Sequence, residues 1–185
     1  ETPLIGGYYY ARRGAATVHR LGRAYWHGPL IEVFSNSRMR PLGPAQQRAQ
    51  TYLALIGGAD GIGWWVWPPR HIDNWKMVKQ LATEMRALTP VLVEPPQNTN
   101  VRWDPLELRQ TVQVRAIRHE ERTWLLVANA CETPAQVRLT LPTAPRGPAR
   151  VWFEDREVAV EGSVLADHIE GYGRHVYEVP GQWPE

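Results

Sequence analysis

The stretch Arg48-Ala-Gln-Thr-Tyr-Leu-Ala-Leu-Ile-Gly-Gly-Ala-Asp-Gly-Ile-Gly-Trp-Trp-Val-Trp67 decides the fold. With Ala45 just upstream, Ala49, Tyr52, Leu53 and Ile56 recur at helical spacing and make one apolar face. Gly57-Gly58 ends that helix in a tight turn. Gly61 to Trp67 is short and apolar, and Pro68-Pro69 closes it, so it reads as a strand. Neighbours in a strand face opposite sides, so Trp65 and Trp67 share a face that Trp64 does not.

Working outward, the same alternation continues. Gly43-Pro44 opens the helix, with proline tolerated in its first turn. Before it, Leu30-Ile31-Glu32-Val33-Phe34 is a near-continuous apolar run, as a buried parallel strand would be. After the tryptophans, Asp73 or Asn74 caps a long helix with the face Trp75, Val78, Leu81, Met85 and Leu88, and Thr89-Pro90 ends it. At the start, Leu4 to Tyr10 reads as a strand interrupted by Gly6-Gly7, and Ala15 to Trp26 as a helix. Residues 1–93 thus read as three consecutive βα units, which imply a parallel sheet with helical crossovers. Three units cannot close an eight-stranded ring by themselves.

Residues 94–100, Glu-Pro-Pro-Gln-Asn-Thr-Asn, are a polar, proline-rich linker. Beyond it the period changes to two. Val112, Val114 and Ala116 alternate with polar residues, and Trp124, Leu126 and Ala128 alternate with Leu125 and Val127. Val137 to Leu141, Val151 to Phe153, Glu157 to Val160 and His175 to Val179 supply further short strands. Residues 101–185 therefore read as an antiparallel β-sandwich.

Composition narrows the function. The 185 residues are 43% apolar and 22% charged, the balance of a chain with a packed core. The net charge is only +2 and no basic run tracks phosphates, which argues against nucleic acid as a partner. No apolar run approaches the roughly 20 residues that span a bilayer, and no membrane partner is expected. Cys131 is the sole cysteine, so no intramolecular disulfide can form. The six histidines are scattered, and neither glycine pair has the spacing of a phosphate loop. No metal and no cofactor is expected. Nine tryptophans is a high number for this length, and the chain opens on Glu1, as a C-terminal portion of something longer would.

The order of these parts resembles the C-terminal portion of a TIM-barrel glycoside hydrolase followed by an appended β-sandwich. Thr2-Pro-Leu-Ile-Gly-Gly7 resembles the sixth barrel strand, Gly28 to Phe34 the seventh, and Gly58 to Trp67 the eighth. Leu81 to Val93 resembles the closing helix. Trp124-Leu-Leu-Val-Ala-Asn129 and Phe153-Glu-Asp-Arg156 resemble segments of the appended domain. The resemblance implies a partial (β/α)8 barrel holding strands 6–8, then the sandwich.

It also implies chemistry. Glycoside hydrolysis uses two carboxyl groups flanking the scissile bond. In the resembled barrels the nucleophile commonly ends the seventh strand, where Glu32 is the one carboxylate. The acid/base commonly sits on the fourth strand, which lies in an N-terminal portion outside these residues. Trp67 and then Trp65 are the candidates to stack on a sugar ring. Tyr8 and Tyr10, at the end of the sixth strand, and Asn36 and Arg38, after the seventh, are candidates for hydroxyl or carboxylate contacts. The expected partners are a carbohydrate and either the N-terminal portion of the same protein or a second copy. The alternative is a non-catalytic carbohydrate-binding or scaffold protein with a degenerate barrel site.

Overall fold

A computed structural model describes residues 4–31, 42–65, 71–95, 97, 101–104 and 110–181. The first half is α1 (Ile5–His19), β1 (Trp26–His27), α2 (Pro44–Ile56), β2 (Gly61–Ile62) and α3 (Ile72–Leu92). The second half is all strand: β3 (Arg102–Asp104), β4 (Val112–His119), β5 (Arg122–Asn129), β6 (Ala135–Thr140), β7 (Ala149–Val151), β8 (Arg156–Val158), β9 (Val160–Glu161), β10 (Val164–Ile169) and β11 (Arg174–Pro180).

The expected strand over Leu4–Tyr10 is instead the first half of helix α1. Its buried residues are Tyr8, Ala11 and Ala15, three and four apart, which is a helical stripe. Two of the three are alanines, and there α2 approaches closely. A Cβ on Gly57 would meet Ala11 Cβ and the Tyr8 carbonyl at 2.9 Å. Gly6-Gly7 therefore interrupts nothing. The helix expected from Ala15 to Trp26 stops at His19, and Gly22 at φ +65 turns the chain out of it.

The next segment is shifted too. β1 begins at Trp26, ahead of the strand expected at Leu30–Phe34, and pairs in parallel with β2 through Trp26–Gly61 and His27–Ile62. Leu30 bridges Trp65 in the same sense. Residues 32–34 and 66–67 lie outside the described residues. Proline at position 29 is no obstacle, because the ladder uses only its carbonyl, which accepts from Trp65 N at 2.9 Å. The parallel direction agrees with the sequence reading. Among the described residues the parallel strands number two, and no closed barrel forms.

Helices α2 and α3 follow their apolar stripes. Ala49, Tyr52, Leu53, Ile56, Val78, Leu81 and Leu88 are buried, whereas Ala45 is exposed. Helix α3 runs two residues past Pro90 before ending at Leu92.

The strands of the second half form two antiparallel sheets, β3-β6-β10-β9 and β4-β5-β11-β7-β8. Val112, Leu125, Val127, Tyr177 and Val179 of one face Val137, Leu139, Leu165 and Ile169 of the other in a shared core. β3 and β10 are additions to the expected strands. β5 is buried on both sides, which explains its unbroken apolar run. Leu125 and Val127 point into the two-sheet core, while Trp124, Leu126 and Ala128 join Tyr52, Leu53, Leu81 and Leu88 of α2 and α3. The helical half thus rests on the outer face of the five-stranded sheet.

A buried polar chain crosses that seam. Arg174 of β11 donates to Glu84 of α3, and the Tyr52 hydroxyl donates to the same carboxylate at 2.7 Å. Arg174 also reaches Glu154, which pairs with Arg156 and lies 2.6 Å from His175 Nδ1.

Candidate functional site

The parallel register sorts the residues of β1 and β2 into two faces. Trp26, Gly28 and Leu30 share one with Gly61, Gly63 and Trp65. His27, Pro29 and Ile31 share the other with Ile62 and Trp64. The second face points at the helices. Pro29 and Ile31 are buried there, and Trp64 Nε1 donates to Thr51 Oγ1 of α2 at 3.3 Å. The first face is open, with Trp26 70% and Trp65 60% exposed. Trp26 lies across Gly61, where a Cβ would meet the indole at 2.7 Å.

The two indoles occupy opposite ends of this face. Trp65 stands at the C-terminal end of the ribbon, where Ile31 N donates to Trp65 O at 3.1 Å. Ile31 is the residue before Glu32 in the chain. The ladder therefore brings Trp65 and the residue before Glu32, distant in sequence, to one end of one ribbon. Glu32, Asn36, Arg38 and Trp67 themselves lie outside the described residues.

Tyr8 and Tyr10 are not on a strand. Tyr8 is buried in the core with Tyr52 and Leu53, and its hydroxyl accepts from Arg12 Nη1 at 3.3 Å. Tyr10 is exposed on helix α1. The case for both rested on a strand end, and the helix removes it.

The chain entering Glu32 is held from outside the ladder, which the sequence reading missed. Ile31 O accepts from Gln47 Nε2 at 2.7 Å and from Asn74 Nδ2 at 3.3 Å. Leu30 O accepts from Gln50 Nε2. Gln47 and Asn74 are almost fully buried. The available signal was a glutamine one turn ahead of the apolar stripe Thr51-Tyr52-Leu55, where packing alone calls for an aliphatic side chain.

The N-terminal end of β2 has a different character. Asp60 Oδ2 accepts from Tyr25 N at 2.7 Å and lies 2.6 Å from His19 Nε2. Burial opposes ionisation there, but the Tyr25 and His19 hydrogen bonds outweigh it and hold the carboxyl below its ordinary value. Asp60 ties the end of α1 to the start of β2, which is a structural role. Beside it an open groove of about 620 Å³ runs under α3, lined by Leu55, Ile62, Trp64, Met85 and Leu92. It lies on the helix side of the ribbon, away from Trp65. Among the described residues no three His, Cys, Asp or Glu side chains gather as metal ligands, and no helix is long and apolar enough to cross a membrane.

No protein-family model matches the chain, and no curated protein matches it. Solved structures do. A putative alpha-galactosidase from Bacteroides fragilis is similar at a TM-score of 0.56 and 11% identity, over 85% of this chain and 34% of that one. An alpha-amylase from Geobacillus thermoleovorans, complexed with acarbose, is similar at 0.55 and 12%, over 76% and 34%. Alpha-galactosidase I from Mortierella vinacea is similar at 0.53 and 13%, over 81% and 38%. The chain spans about a third of the length of these glycosidases, and at such identities the likeness is one of fold.

Proposed function

We propose that this chain is the C-terminal part of a glycoside hydrolase. In this reading α1-β1-α2-β2-α3 supplies the last two strands of a (β/α)8 barrel with their helices, and the two-sheet half is the appended domain. The reading drops the sixth strand, which the sequence had placed on what is helix α1. An N-terminal portion of the same protein supplies the other strands and covers the open face of the β1–β2 ribbon.

The observation that carries the proposal is the parallel bridge between Leu30 and Trp65. It sets an exposed indole beside the peptide that leads to Glu32, at the C-terminal end of parallel strands. That end is where barrel enzymes carry their chemistry. The likeness in fold to alpha-amylase and alpha-galactosidase structures supports the same reading.

The chemistry follows from the groups. A carboxylic acid from the N-terminal portion protonates the glycosidic oxygen. Glu32 acts as the second carboxylate, either attacking the anomeric carbon or activating water. Trp65, with Trp67, offers an aromatic face to the C–H face of the sugar, while Asn36 and Arg38 serve its hydroxyls. The test is turnover of a panel of aryl glycosides by the full-length protein. Hydrolysis of at least one is expected. Saccharide binding without turnover across the panel would move the protein to the non-catalytic carbohydrate binders.

A further inference from the structure

One histidine in the polar chain across the seam faces two acceptors at once. His175 Nε2 lies 3.0 Å from the backbone oxygen of His168, and its Nδ1 lies 2.6 Å from Glu154 Oε1. A carbonyl and a carboxylate only accept, so each ring nitrogen has to donate. A neutral imidazole has one N–H, whereas the imidazolium has two. Arg156 Nη2 also approaches Nδ1, but at 3.4 Å. A lone pair turned to that arginine would still leave Nδ1 2.6 Å from a carboxylate oxygen with no hydrogen between them. The proton does not belong to Glu154. Burial opposes ionisation there, but the His175 and Arg156 contacts outweigh it and hold the carboxyl below 4.5. By contrast, His19 with Asp60 and His119 with Glu94 each make one short carboxylate bond, which a neutral ring can supply.

The surrounding charges agree. Glu154 comes from the β7–β8 turn, Arg156 from β8, Asp167 from β10, Arg174 from β11 and Glu84 from α3. Two guanidinium groups face three carboxylates, and a doubly protonated His175 closes the balance. Burial pushes the Tyr52 and Tyr177 phenols up, so both stay neutral donors to Glu84 and Asp167. The His168 imidazole turns elsewhere, to Gln136 and Glu170.

The ring proton reaches the seam through one atom. Glu154 Oε1 contacts both His175 Nδ1 and Arg174 Nη1, the latter at 3.2 Å, and Arg174 Nη2 holds Glu84 of α3. Without the second ring proton, a lone pair on Nδ1 meets that oxygen and repels it. The turn carrying Glu154 is strained. Phe153 at φ +71 and Asp155 at φ +48 flank it in the left-handed region, which side chains of this kind seldom adopt. The Glu154 contacts hold the turn in that shape.

We infer that His175 is a proton-operated latch. With both ring nitrogens protonated it holds Glu154 and, through Arg174, the α3–β11 seam. Loss of one ring proton frees the β7–β8 turn and weakens the seam. Folding that requires a bound proton weakens as pH rises, the opposite sense to the Glu154 and Asp167 carboxyls. The latch does not rest on the glycoside hydrolase reading.

The experiment reads the ring directly. In the full chain with 15N-labelled histidine, both ring nitrogens of His175 should show the shifts of protonated nitrogen at neutral pH, and His175→Gln identifies those signals by removing them. As pH is raised, the melting temperature should fall by about 2 °C or more over the interval in which one of the two becomes unprotonated. That step should be missing in His175→Gln. One unprotonated ring nitrogen at neutral pH, or a step of the same size in His175→Gln, overturns the latch. If His175→Gln does not fold, Glu154→Gln decides by the same ring signals. Its His175 should hold a single ring proton at neutral pH, and two retained ring protons would overturn the role of Glu154.

Discussion

Glu84 Oε1 and Arg174 Nη2 stand 2.8 Å apart, with their side chains 3% and 5% exposed, ninety residues apart in the chain. The pair joins α3 to β11, and the Arg174 guanidinium also lies over the rings of Tyr52 and Phe153. Removing one member of a buried pair strands the other charge without a counterion. Arg174→Met is therefore expected to cost about 3–5 kcal/mol. The double change Glu84→Gln with Arg174→Met should recover much of that loss. Urea denaturation of the three variants measures it, and a double variant no more stable than Arg174→Met would refute the pairing argument.

Glu154 and Asp167 predict an acid-side loss of stability. Burial opposes ionisation of both. For Glu154 the His175 and Arg156 contacts outweigh it, and for Asp167 the Arg156 and Tyr177 hydrogen bonds do, so both carboxyls lie below their ordinary values of 4.5 and 3.8. A carboxyl held low in the fold stabilises it above the unfolded value, and the contribution goes as pH falls through the folded value. The melting temperature should accordingly begin to drop below about pH 5 and continue to drop beneath pH 3.8. Arg156→Gln should lower stability at neutral pH and flatten the acid-side slope. A slope unchanged by that substitution would clear these carboxyls of the effect.

The α1–α2 contact makes a paired prediction. Gly57→Ala places a Cβ 2.9 Å from backbone and side-chain atoms of α1, so the helices must part at a cost of about 1–3 kcal/mol. At Gly7 a Cβ meets nothing within 4 Å. There the gain in helix propensity should stabilise the protein by roughly 0.5–1 kcal/mol. Thermal melts of the two variants should move in opposite directions.

Trp65→Ala separates binding from folding. Its indole is mostly exposed in the 185-residue chain, so its removal should change the stability of that chain by less than about 0.5 kcal/mol. Saccharide affinity should weaken by about 1 kcal/mol or more, roughly fivefold, through loss of the aromatic platform. Calorimetric titration of the full-length protein with a bound oligosaccharide checks this. Equal affinity would take Trp65 out of the site.

The parts of the fold legible in the sequence are those whose signal is local. Helices α2 and α3 carry stripes of large apolar residues, β4 and β6 carry the alternation of strands, and β5 is a short apolar run. Helix α1 escaped because its buried stripe is one tyrosine and two alanines, and its partner, Gly57, comes some forty residues later. The start of β1 escaped because Gly28-Pro29 resembles a stop, whereas the parallel ladder asks nothing of the missing proline N–H. In the candidate site the sequence offered Glu32 and Trp67, which lie outside the described residues, and Trp65, which stands exposed beside Leu30. It could not reveal that Leu30 bridges Trp65, nor that Gln47 and Asn74 meet on one carbonyl. Those are contacts between residues 16 to 43 positions apart, set by how the helices dock.

The most direct measurement of the central claim is the kcat of Glu32→Gln in the full-length protein on an aryl glycoside that the parent hydrolyses. The account predicts a loss of at least about 100-fold with the fold intact. A variant that turns over the same substrate at the parent's rate would contradict it.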